Sequence, residues 1–212
     1  MTLDKLKVEP IIVGPLFSNC YVVWDESTRE GVVIDPGDDA NNILKTIKKL
    51  KVKIKYILAT HGHFDHVGAV ASLKKQLNVD FLAHKDDYFF IEDGKNAALR
   101  WGINIEQPPY PDRFINDKDK IKVGKFELKV ISTPGHSPGG VCFLNDNMLF
   151  VGDTLFQGSI GRTDFRKGSM KDLTESIKTR LYTLPDNTIV YTGHGPITTI
   201  GDEKRYNAFV RA

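Results

Sequence analysis

Short apolar runs broken by turn residues fill the first third of the chain. Ile11 to Leu16, Cys20 to Trp24 and Gly31 to Ile34 are rich in β-branched and aromatic residues. Gly14-Pro15, Ser18-Asn19 and Asp25-Glu26-Ser27 punctuate them, so the pattern predicts three strands joined by turns. The third run closes on Asp35-Pro36-Gly37, and the period then changes. Ile43, Leu44, Ile47 and Leu50 recur at helical spacing behind Asp38 or Asp39 as the cap, which predicts a helix to about Leu50. Lys53 to Ala59 returns to a strand pattern. A second helix is expected from Asp65 or His66 to Leu77, with Val67, Val70, Leu73 and Leu77 on its buried face. Phe81 to His84 is a short strand, followed by a helical segment around Asp86 to Leu99.

Periodicity fails between Gly102 and Phe114, where Pro108, Pro109 and Pro111 predict an extended surface crossing between two halves. Beyond it, Ile121 to Val123 and Phe126 to Ile131 form a hairpin across Gly124-Lys125, and Val141 to Leu144 and Met148 to Val151 form another across Asn145-Asp146-Asn147. Met170 to Leu181 reads as a helix, Thr188 to Thr192 as a last core strand, and Asp202 to Val210 as a terminal helix. No fixed-period repeat or low-complexity tract interrupts this order.

The bulk numbers narrow the class. With 212 residues, 41% of them hydrophobic, the chain is expected to form one domain over 1–212 with a full core. A net charge of +2 creates no whole-molecule field that calls for nucleic acid or an anionic membrane. The lysines at 45, 48, 49, 51, 53 and 55 read as a solvated face, so no nucleic-acid partner is expected. Met1 to Lys7 lacks the apolar core and cleavage site of a secretory signal. The charge-free run Val130 to Asn145 is interrupted by Pro134 and Pro138, which excludes a spanning helix there. A soluble, cytoplasmic protein with no membrane partner is expected. Cys20 and Cys142, each within an apolar run, read as buried reduced thiols.

The chemistry concentrates in Thr60-His61-Gly62-His63-Phe64-Asp65-His66-Val67-Gly68, which follows a strand and holds three of the six histidines. Imidazole nitrogens and carboxylate oxygens are the donors that hold zinc and similar divalent ions. His61 and His63, two apart on extended chain, point to one side, whereas Asp65 and His66 lie past a bend and can face a second ion. Two metals are therefore expected. Three later strand ends each present one further donor: His136, Asp153 and His194. Ser137 beside His136 makes a poor nucleophile and base pair, because adjacent side chains on extended chain point apart.

In this order, H-x-H-x-D-H at His61 to His66, then His136, Asp153 and His194, the chain resembles the metallo-β-lactamase superfamily. It is most similar to the glyoxalase II branch, the hydroxyacylglutathione hydrolases, in a short form. The segment Phe156 to Phe165 strengthens that resemblance. What it implies is an α/β fold, an αββα sandwich of two mixed sheets packed face to face with helices outside. By the same resemblance His61, His63 and His136 hold one metal, Asp65, His66 and His194 a second, and Asp153 bridges them, with Asp65 and Asp153 the catalytic carboxylates. The chain stops soon after His194, so the helical domain that holds glutathione in longer relatives is not expected here.

The activity implied is a binuclear hydrolase that cleaves a small thioester such as S-lactoylglutathione by a metal-bridging hydroxide. Zinc is the expected metal, with iron or manganese compatible with the same donors. Alternatives are a glutathione persulfide dioxygenase with a single iron, or a hydrolase of another ester or lactone. Phe64 and Phe156 are candidate walls of the substrate cleft. Arg162 is a candidate substrate contact for an anionic substrate or, the favoured reading, pairs with Asp164 to brace its own loop. His84 is read as a strand-end hydrogen-bonding residue. Nothing in the sequence indicates an oligomeric state.

Overall fold

Two six-stranded mixed sheets face each other, and helices cover their outer faces. The computed structural model describes residues 5–211. Met1 to Asp4, part of the stretch read for a leader, and Ala212 lie outside the described residues. The first sheet runs β1 (Leu6–Val13), β2 (Ser18–Asp25), β3 (Glu30–Ile34), β4 (Lys53–Leu58), β5 (Asp80–Ala83) and β6 (Arg113–Phe114), in that spatial order. Its first three strands are antiparallel, and β3 through β6 are parallel. The second half supplies β7 (Lys120–Val123), β8 (Phe126–Ser132), β9 (Val141–Asn145), β10 (Met148–Gly152), the two-residue strands β11 (Leu155–Phe156) and β12 (Ser159–Ile160), β13 (Ile189–Thr192) and β14 (Thr198–Thr199). The second sheet is ordered β14-β13-β10-β9-β8-β7, with β10 and β13 parallel, while β11 and β12 form a separate small ribbon.

Three apolar clusters account for the layers. Between the sheets Val23, Val32, Ile34 and Leu58 meet Val130, Val141, Phe143 and Phe150. Tyr21 adds edge contacts to Phe150 and Tyr191 at 5.4 and 5.5 Å, and its hydroxyl donates to the Thr192 carbonyl at 2.6 Å, tying one sheet to the other. Outside the first sheet, Ile43 and Ile47 of α1 (Ala40–Leu50) and Val70 and Leu73 of α3 (Val70–Leu77) bury their apolar stripes on it. Leu173 of α6 (Met170–Ser176), Ile177 and Leu181 of the π turn that follows it, and Ile200 of α7 (Ile200–Tyr206) cover the second. Among the described residues no helix is long and apolar enough to cross a membrane. Cys20 and Cys142 are buried free thiols, as their contexts suggest.

Several boundaries differ from the sequence reading. β1 begins at Leu6 and ends at Val13, before a turn closed by the Phe17 amide on the Gly14 carbonyl. Asp39 stands at the head of α1, but its carboxylate accepts from the Gly14 amide at 2.9 Å and makes no capping bond. The helix expected from residue 65 to 77 is two pieces, α2 (Phe64–Val67) and α3. Gly37 and Gly68 pack backbone to backbone there: a Cβ on Gly68 would lie 2.3 Å from the Gly37 carbonyl, and Ala69 donates to Pro36 across the chain, not up a helix. The segment 86–99 likewise divides into a 3-10 turn (Lys85–Asp87), α4 (Tyr88–Glu92) and α5 (Gly94–Arg100). The crossing carries the short edge strand β6, and the terminal helix spans Ile200–Tyr206, earlier than 202–210.

Candidate metal centre

Strand ends deliver the donors. β4 leads directly into Thr60 to His63, the first turn of α2 carries Asp65 and His66, the β8–β9 loop carries His136, and β10 and β13 end before Asp153 and His194. The two sheets are stitched along this edge by Asn19 N–H to the Gly193 carbonyl at 2.7 Å and Val141 N–H to the Thr60 carbonyl at 2.8 Å. The structure thus brings all seven residues singled out in the sequence together. His61, His63 and His136 form one group and Asp65, His66 and His194 another, each with its donor atoms within 4.8 Å of one another. Asp153 lies between them, its Oδ1 3.3 Å from His66 Nε2 and its Oδ2 3.6 and 3.7 Å from Nε2 of His136 and His194. Asp65 Oδ2 stands 3.2 Å from His194 Nε2 and 3.6 Å from His66 Nε2.

Hydrogen bonds at the outer nitrogens set which inner nitrogen is free. His136 Nδ1 meets the Arg162 carbonyl at 2.7 Å and His194 Nδ1 the Leu16 carbonyl at 3.1 Å. A carbonyl only accepts, so both Nδ1 atoms carry the proton and both Nε2 atoms keep a lone pair. Asp35 does the same for two more rings. His66 Nδ1 lies 3.2 Å from Asp35 Oδ2, so it donates. The Thr60 hydroxyl spends its own proton on Asp35 at 2.7 Å and therefore accepts from His61 Nδ1 at 3.1 Å. His63 differs, with Nδ1 2.9 Å from His136 Nε2.

Several of the inner atoms then have nothing to bond. Nε2 of His61, His63 and His66 and Oδ1 of Asp153 are buried with no hydrogen-bond partner. Native proteins leave few such groups, and a cluster of them with nitrogen and oxygen lone pairs converging fits a site for divalent cations. The electrostatics agree. Burial, with His66 and His63 alongside, holds His61 well on the neutral side, and burial with His136 beside it pushes His63 down to about 3. Burial alone would lower His66, but Asp153 and Asp65 outweigh it and raise its pKa, and an Asp65 hydrogen bond raises His194 against its own burial. Asp153 is held well below the carboxylate range, since His66 overcomes the opposite pull of its burial. Positive charge is favoured between these carboxylates. Asp35, His61 and His66 also cluster, but the Asp35 oxygens are occupied by Thr60 N–H, Thr60 Oγ1 and His66, so Asp35 orients the rings.

Two organising residues escaped the sequence reading. Asp35 was visible only as a turn residue after β3, and its φ of 52 is one that Asp tolerates better than most side chains. Asp87 is fully buried and accepts from Gly62 N–H at 2.8 Å, Ser137 Oγ at 2.7 Å and Gly139 N–H at 2.6 Å. It joins the His61–His63 loop to the His136 loop, while burial pushes its carboxyl up against those three donors. Ser137 is used here, in structure. His84, near the end of β5, accepts from Asp86 N–H at 3.2 Å.

A cleft of about 990 Å³ opens over the centre. Phe64, Phe156 and Arg162 all line it, and Arg162 is also held by both oxygens of Asp164 at 3.0 and 2.7 Å. The sequence reading missed its aromatic wall: Phe90 and Phe165 contact the His63 ring at 4.4 and 4.8 Å, with Phe89 and Trp101 beyond.

The family model described as "Metallo-beta-lactamase superfamily" matches residues 13–194. The hydroxyacylglutathione hydrolase GloC of Haemophilus influenzae is 38% identical over 98% of this chain and 99% of its own length. Among solved structures, the BLEG-1 B3 metallo-β-lactamase superposes with a TM-score of 0.90 at 37% identity, covering 97% of this chain and all of that one. TTHA1623 in a di-iron-bound form gives a TM-score of 0.89 at 40% identity, covering 96% of this chain and 100% of its own.

Proposed function

The chain belongs to the metallo-β-lactamase superfamily, and from that premise we propose that it is a metal-dependent hydrolase of small thioesters, of the hydroxyacylglutathione hydrolase kind. The observation that carries the metal chemistry is the convergence of unpartnered buried donors from His61, His63, His66 and Asp153. In this reading His61, His63 and His136 would hold one divalent ion and Asp65, His66 and His194 a second, with Asp153, which lies between the two groups, available to either. When bound, such ions supply Lewis acidity and a hydroxide nucleophile at neutral pH. The chain's own residues do the rest. Thr60, Asp35 and the carbonyls of Arg162 and Leu16 fix the ring orientations, so little reorganisation is needed on loading. Phe90 and Phe165 shield one flank of His63 from water. A thiol leaving group, with a pKa of about 8.5, departs as thiolate without a strong acid, in keeping with a cleft that offers no further histidine.

The relative named as a hydroxyacylglutathione hydrolase supports the thioester as substrate. The nitrogen and oxygen donor set suits zinc, iron and manganese alike, and the di-iron-bound form of TTHA1623 supports iron beside zinc. Two complete three-donor groups favour a two-ion hydrolase over a single-iron dioxygenase. Buried reduced thiols at Cys20 and Cys142 suit a cytoplasmic setting, with a small molecule as the partner and neither nucleic acid nor membrane engaged. The test is loss of the thioester absorbance of S-D-lactoylglutathione on adding metal-loaded protein, with a chelator-stripped control. Asp153→Ala is expected to lower both metal stoichiometry and turnover. Two ions and full turnover in that variant would refute the reading.

A further inference from the structure

Phe89, in α4, is flanked by two cations. The Arg166 guanidinium carbon lies 5.0 Å from its ring centroid and Lys167 Nζ lies 4.7 Å from it. Both side chains are exposed on the loop between β12 and α6, and neither joins an ion pair among the described residues. Of the nearby carboxylates, Asp164 holds Arg162, and Asp93 holds Arg100 at 2.6 Å while feeling the Arg166 charge from farther off, without pairing with it. Two like charges on one ring repel each other and gain from an anion that meets both.

The pair connects to the metal centre through the cleft wall. Phe89 contacts Phe90 at 4.1 Å, and Phe90 contacts the His63 ring at 4.4 Å. Phe165, next in sequence to Arg166, lies 4.8 Å from the same ring. An extended ligand with its reacting end beside His63 would therefore lie along aromatic faces and end at Arg166.

We propose that Arg166 and Lys167, braced on Phe89, receive the anionic arm of the thiol carrier, while Phe90 and Phe165 pack against the stretch between that arm and the reacting carbonyl. This rests on the thioester reading for the identity of the reacting end. The ligand class is an acyl thiol whose thiol carries carboxylate or phosphate, in contrast to a neutral ester.

Non-hydrolysable thioethers test it. S-butylglutathione carries carboxylates, S-butyl-coenzyme A carries phosphates, and S-butyl-N-acetylcysteamine carries no charge. Calorimetry on the metal-loaded protein is expected to show one of the anionic thioethers bound about tenfold or more tighter than the neutral one. In Arg166→Gln/Lys167→Gln that ratio is expected to collapse toward one, and which anionic thioether loses affinity identifies the arm as carboxylate or phosphate. No preference in the parent protein, or an undiminished ratio in the variant, would overturn the proposal. Since thioethers do not react, a protein that binds them through Arg166 yet leaves thioesters intact fails the hydrolase reading alone. One that cleaves thioesters without the charge preference fails only this proposal.

Discussion

Asp87→Ala removes the acceptor on which two loops of the centre converge. Gly62 N–H, Ser137 Oγ and Gly139 N–H, at 2.6–2.8 Å from the carboxylate, would lose their partner inside a fully buried pocket. A buried donor left unpaired costs about 1–3 kcal/mol, and with water entering the vacated space the total comes to roughly 3–5 kcal/mol. Urea unfolding of the metal-free protein measures it. Ser137→Ala alone removes one donor and should cost about 1 kcal/mol. In the Asp87→Ala background the same change removes an orphan, so the double variant should be about 1 kcal/mol more stable than the sum of the singles. Calorimetric metal titration adds a second readout, because Asp87 fixes His136 relative to His61 and His63: affinity at that group is expected to fall at least about tenfold. An Asp87→Ala protein within about 0.5 kcal/mol of the parent, with unchanged metal affinity, would refute the argument.

Two further outcomes follow from hydrogen bonds outside the centre. Asp35→Asn puts an amide where three donors point, which favours the tautomer of His66 with its proton on Nε2; nitrogen NMR of the metal-free protein should show the switch, and metal stoichiometry should fall. An unchanged His66 tautomer with full loading would contradict it. Asp25 is buried, which alone would raise its pKa, but the Lys125 amide and the Ser27 hydroxyl and amide outweigh this and hold it well below the usual carboxylate range. Its stabilising contribution is therefore complete above the unfolded-state pKa of about 3.9 and is lost as pH falls below it. Acid unfolding of Asp25→Asn should accordingly show a shallower loss of stability between about pH 4 and 2 than the parent, and parallel curves would count against the assignment.

What could be read from the sequence was whatever chemistry or periodicity had written into neighbouring residues. His61 to His66 stood out because four donors fall within six residues, and His136, Asp153 and His194 because each follows an apolar run. The strands were legible because both faces of the central strands are covered, so that β2 and β3 read as near-continuous apolar and β-branched runs. Asp35 and Asp87 were not, since their partners lie 25 and 50 residues away and nothing local marks them. The break between α2 and α3 depends on Gly68 meeting Gly37, a contact that no helical period encodes. The ribbon of β11 and β12 and the edge strands β6 and β14 are two residues each, too short for any period. Phe89, Phe90 and Phe165 are apolar like core residues, and only the fold turns them toward the cleft.

Each donor group draws on both sides of the crossing between residues 102 and 114, and this bears on how the centre matures. The ribosome releases His61, His63, Asp65 and His66 well before His136, Asp153 and His194. During that interval neither group is complete, and the early cluster can hold a cation only as a short peptide does, weakly and reversibly. The full donor set exists once β13 and the His194 that follows it have been made and the strand has docked beside β10. The choice of ion is thus deferred until both halves have folded together, when the geometry of the assembled site and the ions then abundant around it decide together what is kept.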